Sequence, residues 1–407
     1  MAERGYPKIS VTPKAEAALR AGHPWVYGEE ILQADACADG ELADVYSGKG
    51  RFLGTGFYNS ASKIRVRLIS RNANDRFDEA FYRRRLQYAV DYRRTVMGSD
   101  FQCCRLIFGE ADQFPGLTVD RFGDILVAQV MSLGIERHKA FLLPALAEIL
   151  RAGGEDIHAV YERSDGALRG KEGLPEYTGF VPAPGLRTDL DGVTEITENG
   201  IRYRVDYIHG QKTGFFLDQK YNRAAAARLA PGRTVLDCFT HTGAFALNAA
   251  KAGAAHVCAV DISDEAVACA RANAALNSLE GTMEFQTADV FELLTSLESR
   301  GKSPYDYIIL DPPAFTKSNA TVKNAIRGYK EINYRAMKIL PRGGYLATCS
   351  CSHFMTNDLF RQMLRSAAFD ASVSLRQIEE RQQAPDHPIL WNVPETDYLK
   401  FYLFQIV

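Results

Sequence analysis

Apolar residues in the C-terminal half of the chain come in short continuous runs, and four successive runs close on an aspartate. Thr234–Leu236 ends at Asp237, His256–Val260 at Asp261, and Tyr307–Leu310 at Asp311; Thr282–Thr287 runs into Ala288 and Asp289. A short, β-branched apolar run such as Thr234–Leu236 fits a parallel strand buried on both faces, and Thr282–Thr287 reads as a strand of the same series. Helical stretches such as Ala244–Ala252 lie between them. The pattern predicts a doubly wound α/β domain from Asn222 onward, with a further strand over Gly344–Thr348. Tyr398–Val407 is aromatic and apolar, and is expected to pair antiparallel at the far side of the sheet.

The first half is patterned differently. Up to about Arg71, short strands alternate with turns at Gly40, Gly48, Gly50, Gly54 and Gly56, as in a small β-barrel. Phe77–Met97 and Lys139–Arg151 read as helices. Two hairpins are expected, one turning at Gly123-Asp124 and one, over Val193–Ile208, turning at Asn199-Gly200. Pro182–Gly185 is a punctuated link. These readings divide the chain into a barrel (1–73), a central α+β domain (74–187) and a Rossmann-like domain (188–407).

Four strands that each end in a carboxylate point to a ligand, because open α/β sheets bind at the carboxyl ends of their strands. The first turn holds Thr240, Thr242 and Gly243, small enough for backbone amides to approach a ligand. It also holds the bulky Phe239 and His241, and only one glycine, so it lacks the room that a pyrophosphate requires. S-adenosylmethionine has no pyrophosphate. Asp261 is positioned for ribose hydroxyls, and Asp289 or the neighbouring amide of Val290 for the adenine edge. Asp237 or Asp311 can take the ammonium. Pro312-Pro313 stiffens the next loop, and Phe315 offers an aromatic face.

The pieces GQKTGFFLDQKYNR (210–223), VLDCFTHTGAF, AVDIS, LDPPAF and TCSCS resemble class I S-adenosylmethionine-dependent methyltransferases. Within that class they resemble the bacterial large-subunit rRNA cytosine-C5 methyltransferases that carry an N-terminal PUA domain. GHPWVYGEEI and FGEADQFPGLTVDRFGD match the same family, so the resemblance spans nearly the whole chain. It implies that the barrel is a PUA domain and that Phe216, Asp218, Gln219 and Ile262 join the cofactor site. It also implies ribosomal RNA as partner, with a homodimer allowed and neither membrane nor metal involved.

Carbon 5 of cytosine is a poor nucleophile, and a thiolate added to carbon 6 activates it. Cys349 is the first residue beyond the run Gly344–Thr348, and Cys351 lies two further on. The family comparison favours Cys349, in its T-C-S context, as the nucleophile, with Asp311 beside it. His353 is near enough along the chain to take the thiol proton. Two other readings stand: methylation of an exocyclic purine amino group by Asp311 and Phe315 without a cysteine, or an RNA-binding protein with no catalysis.

Composition narrows these options little. The eight cysteines show no C-x-x-C or zinc spacing, which fits reduced thiols in a cytoplasmic protein. The N-terminus lacks a signal-peptide pattern, and no apolar run is long enough to span a bilayer. With a formal net charge of −2, RNA contact must come from local patches. Lys63, Arg65 and Arg67 alternate at strand spacing, and Arg83–Arg85, Arg93 and Arg94 punctuate a helix. Lys317, Lys323, Arg327, Lys330 and Arg335 follow the DPPAF motif; their closeness to the site makes Lys317, Lys323 and Arg327 the best RNA candidates.

Overall fold

A computed structural model describes residues 4–301, 303–316 and 318–407. By contact the chain forms two compact units. The first holds the chain through Ile196, with Val205–Leu217 and Pro385–Thr396; the second holds Thr197–Arg204, Asp218–Ala384 and Asp397–Val407. Both units are discontinuous, a division that boundaries drawn along a sequence cannot express.

The first unit contains two sheets. Strands β1 (Lys8–Val11), β2 (Trp25–Tyr27), β3 (Ile31–Ala34), β4 (Leu42–Ser47), β5 (Phe52–Tyr58) and β6 (Ile64–Ser70) form a sheet in the order β2-β6-β5-β4-β1-β3. Their alternate residues, with Ala15 and Leu19 of helix α1 (Pro13–Arg20), make one apolar core. Gly56 is required there, since a Cβ would sit 2.2 Å from the Arg67 carbonyl oxygen.

Helix α2 (Glu79–Met97) starts two residues later than the apolar pattern suggests, because Asp78 caps it through the Phe81 N–H. The second sheet has the order β11-β10-β9-β8-β7. Its strands are β7 (Cys103–Phe108), β8 (Leu117–Phe122), β9 (Ile125–Val130), β10 (Ala159–Ser164) and β11 (Tyr177–Phe180). Phe122 faces Ile125 across the expected Gly123-Asp124 turn. Helix α3 (Leu133–Ala152) links the parallel pair β9 and β10. The second expected hairpin is also present as β12 (Val193–Glu198) and β13 (Ile201–Asp206), with both turn residues, Asn199 and Gly200, at positive φ.

The second unit is built on seven strands. They are β14 (Thr234–Cys238), β15 (His256–Asp261), β16 (Met283–Thr287), β17 (Tyr307–Leu310), β18 (Tyr345–Ser350), β19 (Leu375–Arg381) and β20 (Lys400–Ile406). The order is β16-β15-β14-β17-β18-β20-β19, parallel through β18. Helices α4 (Lys220–Ala227), α5 (Ala244–Lys251), α6 (Asp264–Leu276), α7 (Val290–Ser299), α8 (Val322–Ile339) and α9 (Asn357–Ala371) complete the unit.

Two expectations change. β20 is antiparallel as expected, but it lies between β18 and β19 instead of at the edge. The edge is β19, whose sequence LRQIEER is too polar to announce a strand. The second change concerns the strand expected to stop at Thr348: β18 runs on to Ser350, because Cys349 and Ser350 still pair with Phe401 and Lys400 of β20.

Candidate active site

Strand order reverses between β14 and β17, the neighbouring parallel strands that end near Asp237 and Asp311. The turn leaving β14 is strained: Phe239 and His241 both hold positive φ, at 64° and 50°. Each such non-glycine residue costs roughly 1–2 kcal/mol, a cost concentrated at functional turns. Gly243 follows at φ 82°, where a Cβ would meet that of Ala270 at 2.9 Å. The glycine lets α5 start against α6.

Asp237 is buried. Its Oδ2 accepts from Thr240 Oγ1 (2.5 Å) and the Ala246 N–H (3.0 Å). Its Oδ1 is equally buried and, among the described residues, has no hydrogen-bond partner. Burial pushes this carboxyl up to about 7; the Asp311 and Asp261 charges add to the rise, and the Thr240 and Ala246 hydrogen bonds oppose it. Asp311 accepts from Gln219 Nε2 at 3.0 Å and from the Cys349 thiol. Burial, then the Asp218 charge, lifts Asp311 to about 6, against Arg223, Gln219 and Cys349. Gln219 is held by Asn222 (2.6 Å), and Asp218 accepts from Tyr398 Oη (2.6 Å). Crowded, desolvated carboxylates with an unmet oxygen favour a cation. S-adenosylmethionine fits, since it brings an ammonium and a sulfonium.

Asp261 accepts from the His241 N–H (2.9 Å) and the Ser263 N–H (3.1 Å), so it braces the turn from the end of β15. Ile262 beside it is 70% exposed, an unusual position for a large apolar side chain and a suitable wall for a flat ring. Thr242 is buried, and its carbonyl accepts from Asn273. Phe239 packs on the core of this unit, and Pro312 is buried.

Other expected residues have structural employment. Asp289 Oδ1 caps α7 through the Phe291 and Glu292 N–H groups, and the Val290 side chain lies in the core. Phe315 is not an open platform: its ring packs against Tyr329 (4.6 Å) and Phe291 (5.9 Å). Phe216 belongs to the first unit, where the Lys212 ammonium lies 4.7 Å from its ring.

The two cysteines separate clearly. Cys349 lies inside β18, fully buried, and burial followed by the Asp311 charge pushes its thiol well up. Cys351 is half-buried just past the strand, with its thiol 3.9 Å from the Pro312 carbonyl. The expectation that Cys349 stands first beyond the strand is therefore corrected. Cys351 takes that place because the β20 pairing carries β18 two residues further.

The basic patches also change. Arg67 is spent on Glu172 (2.9 Å) and Glu110 (3.3 Å), and Arg65 donates to the Asn59 carbonyl. In α2, Arg83 pairs with Glu148, Arg93 with Asp112 and Arg94 with Glu155. Near the site, Lys330 pairs with Asp370, and Arg335 with Glu298 and Glu331. Lys323 and Arg327 remain exposed, one turn apart on α8. Lys317 lies outside the described residues.

Two residues escaped the sequence reading, Tyr398 as partner of Asp218 and the buried Lys400 bonded to the Ser352 carbonyl, and so did the bond from Thr240 to Asp237. Only Thr240, three residues from Asp237, carried a local signal.

A family model described as S-adenosylmethionine-dependent methyltransferase matches residues 186–405, and one described as a PUA-like domain matches residues 9–71. The chain belongs to the S-adenosylmethionine-dependent methyltransferases and carries a PUA-like N-terminal domain. It is 39% identical, over 96% of its length and 97% of theirs, to the proteins named Ribosomal RNA large subunit methyltransferase I of Escherichia coli O139:H28 and Shigella boydii serotype 18. A solved Streptococcus mutans chain, described as a SAM-dependent methyltransferase, superposes with a TM-score of 0.82 over 98% of this chain and 99% of its own. A solved methyltransferase chain complexed with SAH matches equally well. Both are 23% identical, and they speak for the fold.

Among the described residues, no helix is long and apolar enough to cross a membrane, and no cluster of His, Cys, Asp or Glu is placed to hold a metal ion.

Proposed function

We propose that this methyltransferase acts on ribosomal RNA, at carbon 5 of a cytosine, with Cys351 as the nucleophile. The observation that carries the reading is the position of Cys351: a half-buried thiol at the end of β18, beside the carbonyl of Pro312 in the DPP loop. The 39% identity to proteins named for large-subunit rRNA supports the substrate class. A thiol that adds to a base must be reachable, which favours Cys351 over the enclosed Cys349.

In the reaction, the Cys351 thiolate adds to carbon 6 of the base. Carbon 5, now enamine-like, forms a bond to the methyl carbon as the bond between that carbon and the sulfonium sulfur breaks, so that S-adenosylhomocysteine is the leaving group. A base removes the carbon-5 proton, the ring double bond re-forms and the thiolate leaves. S-adenosylmethionine, when bound, supplies the electrophilic methyl. The chain's own share is to meet the ammonium at Asp237 and to hold Asp311 in place through Gln219. Cys349 is hydrogen-bonded to Asp311.

Cys351→Ala should abolish methyl transfer while preserving SAH binding, because the lost bond exists only along the reaction path. RNA with 5-fluorocytosine at the target should trap a covalent adduct, and peptide mapping identifies the cysteine. An adduct on Cys349 would reverse the choice of thiol. Full activity of a Cys349/Cys351 double variant, with no adduct, would leave amino-group methylation as the better reading.

A further inference from the structure

Lys400 opens β20 and faces Ser350 across the antiparallel pair. It is only 5% exposed, and its Nζ donates to the carbonyl oxygens of Ser352 (2.6 Å) and Tyr398 (2.7 Å). The side chain is thereby tied to Ser352, the residue after Cys351, and to Tyr398, two residues before Lys400 itself. Among the described residues it forms no ion pair with a carboxylate. Two carbonyl acceptors satisfy both hydrogens of a neutral amine, and leave one position on Nζ for either a lone pair or a third N–H.

Burial pulls Lys400 down to about 8, and the negative charges of Asp397 and Cys351 offset part of that fall. A free thiol ionises near the same value, about 8.5. Among the described residues, Cys349 and Tyr329 also feel the Cys351 charge; burial and the Asp311 charge keep the first as a thiol, and burial keeps the second as a phenol. Neither accepts a proton near neutral pH. The His353 ring packs on Phe354.

We propose that Lys400 ionises Cys351: the proton that leaves Sγ is taken up at the Nζ lone pair, and the resulting ammonium holds the thiolate until it adds to the base. No atom beyond that proton moves, and the proton returns when the thiol re-forms. Lys400 is thus a positioning and proton-accepting residue that acts through Cys351, and the inference rests on the thiol reading above.

The test uses the full chain with SAH bound, and iodoacetamide as a probe. The pH dependence of Cys351 alkylation is followed by peptide mass. In the wild type the midpoint should lie below that of a free thiol. Lys400→Met should raise it by at least about one unit, which slows alkylation at pH 7 about tenfold. Lys400→Arg, which keeps the charge, should stay near wild type. Retained SAH affinity certifies that each variant is folded. A wild-type midpoint at or above the free-thiol value overturns the proposal without any variant, and so does an unmoved profile in a folded Lys400→Met. The fluorocytosine adduct separates the two ideas. An adduct on Cys351 with an unmoved profile removes only the lysine; an adduct absent from Cys351 removes the thiol assignment whatever the profile.

Discussion

In the first unit, Arg105 meets the fully buried Asp120 through two bonds of 2.7 and 2.8 Å, and Thr213 adds a third at 2.6 Å. Arg93 grips Asp112, Arg121 meets Glu155, and Arg169 meets Glu136, so each of these buried cations has a carboxylate. In the second unit, burial and then the Asp311 charge raise Asp237 instead, and among the described residues one Asp237 oxygen has no partner. Burial alone would raise Asp120 too, but Arg105 wins and holds it below the ordinary carboxylate range. The contrast sets a buried charge that is neutralised within the fold against one that, in the function proposed above, is met by the cofactor.

The largest expected effect comes from breaking a matched pair. Arg105→Ala strands a buried carboxylate and should cost about 3–5 kcal/mol of stability, measured by denaturant unfolding. Asp237→Asn should do the reverse. It removes an unmet buried charge, so the SAH-free protein should be no less stable. Cofactor affinity should fall roughly tenfold to a hundredfold, as expected for a lost charged hydrogen bond of about 1.5–3 kcal/mol, read by calorimetry. If Asp237→Asn unfolds the protein and leaves affinity intact, the contrast is wrong.

The two units should also answer pH with opposite signs. Asp120 is depressed in the folded state, so its stabilisation is present above the unfolded value and is lost as pH falls. Asp237 is raised, so its stabilisation is present below the unfolded value and is lost as pH rises through about 7. In the SAH-free protein, exchange protection corrected for intrinsic rates should fall in β8 on acidification and in β14 between pH 5 and 8. A bound cation favours ionised Asp237, so cofactor affinity should strengthen over that same rise. Asp237→Asn should flatten both trends in β14. Parallel trends in the two strands would erase the distinction.

Smaller effects sharpen it. Asp261→Ala removes the brace on His241 and an acceptor for the ribose, and should weaken cofactor binding about tenfold, on the order of 1–3 kcal/mol. Charge reversal at Lys323 and Arg327 should leave cofactor affinity alone. It should weaken RNA binding and flatten its salt dependence by roughly 0.7 per lost contact for a single strand. An unchanged salt slope would reduce that face of α8 to a solvated surface.

Much of this was legible along the chain. Short apolar runs ending in aspartate foretold the parallel strands, and β17 was placed to the residue. Two-residue turns at Gly123-Asp124 and Asn199-Gly200 were legible because positive φ restricts the residue type. Patches of arginine were misleading, since a strand or helix pattern shows which residues share a face but not which acids cover it. Phe315 misled for the same reason: an aromatic ring after DPP looks open until Tyr329 and Phe291 close on it.

By itself the sequence determined the fold class and the parallel strands of the second unit, because these depend on local periodicity and on residues with few backbone options. Tertiary structure alone decided which cysteine reaches the surface. That choice rests on how far β18 extends, and hence on its pairing with β20, some fifty residues later in the chain. It likewise set Lys400 opposite Ser350, next in the chain to Cys351, because proximity across an antiparallel pair follows from register, which no local pattern records.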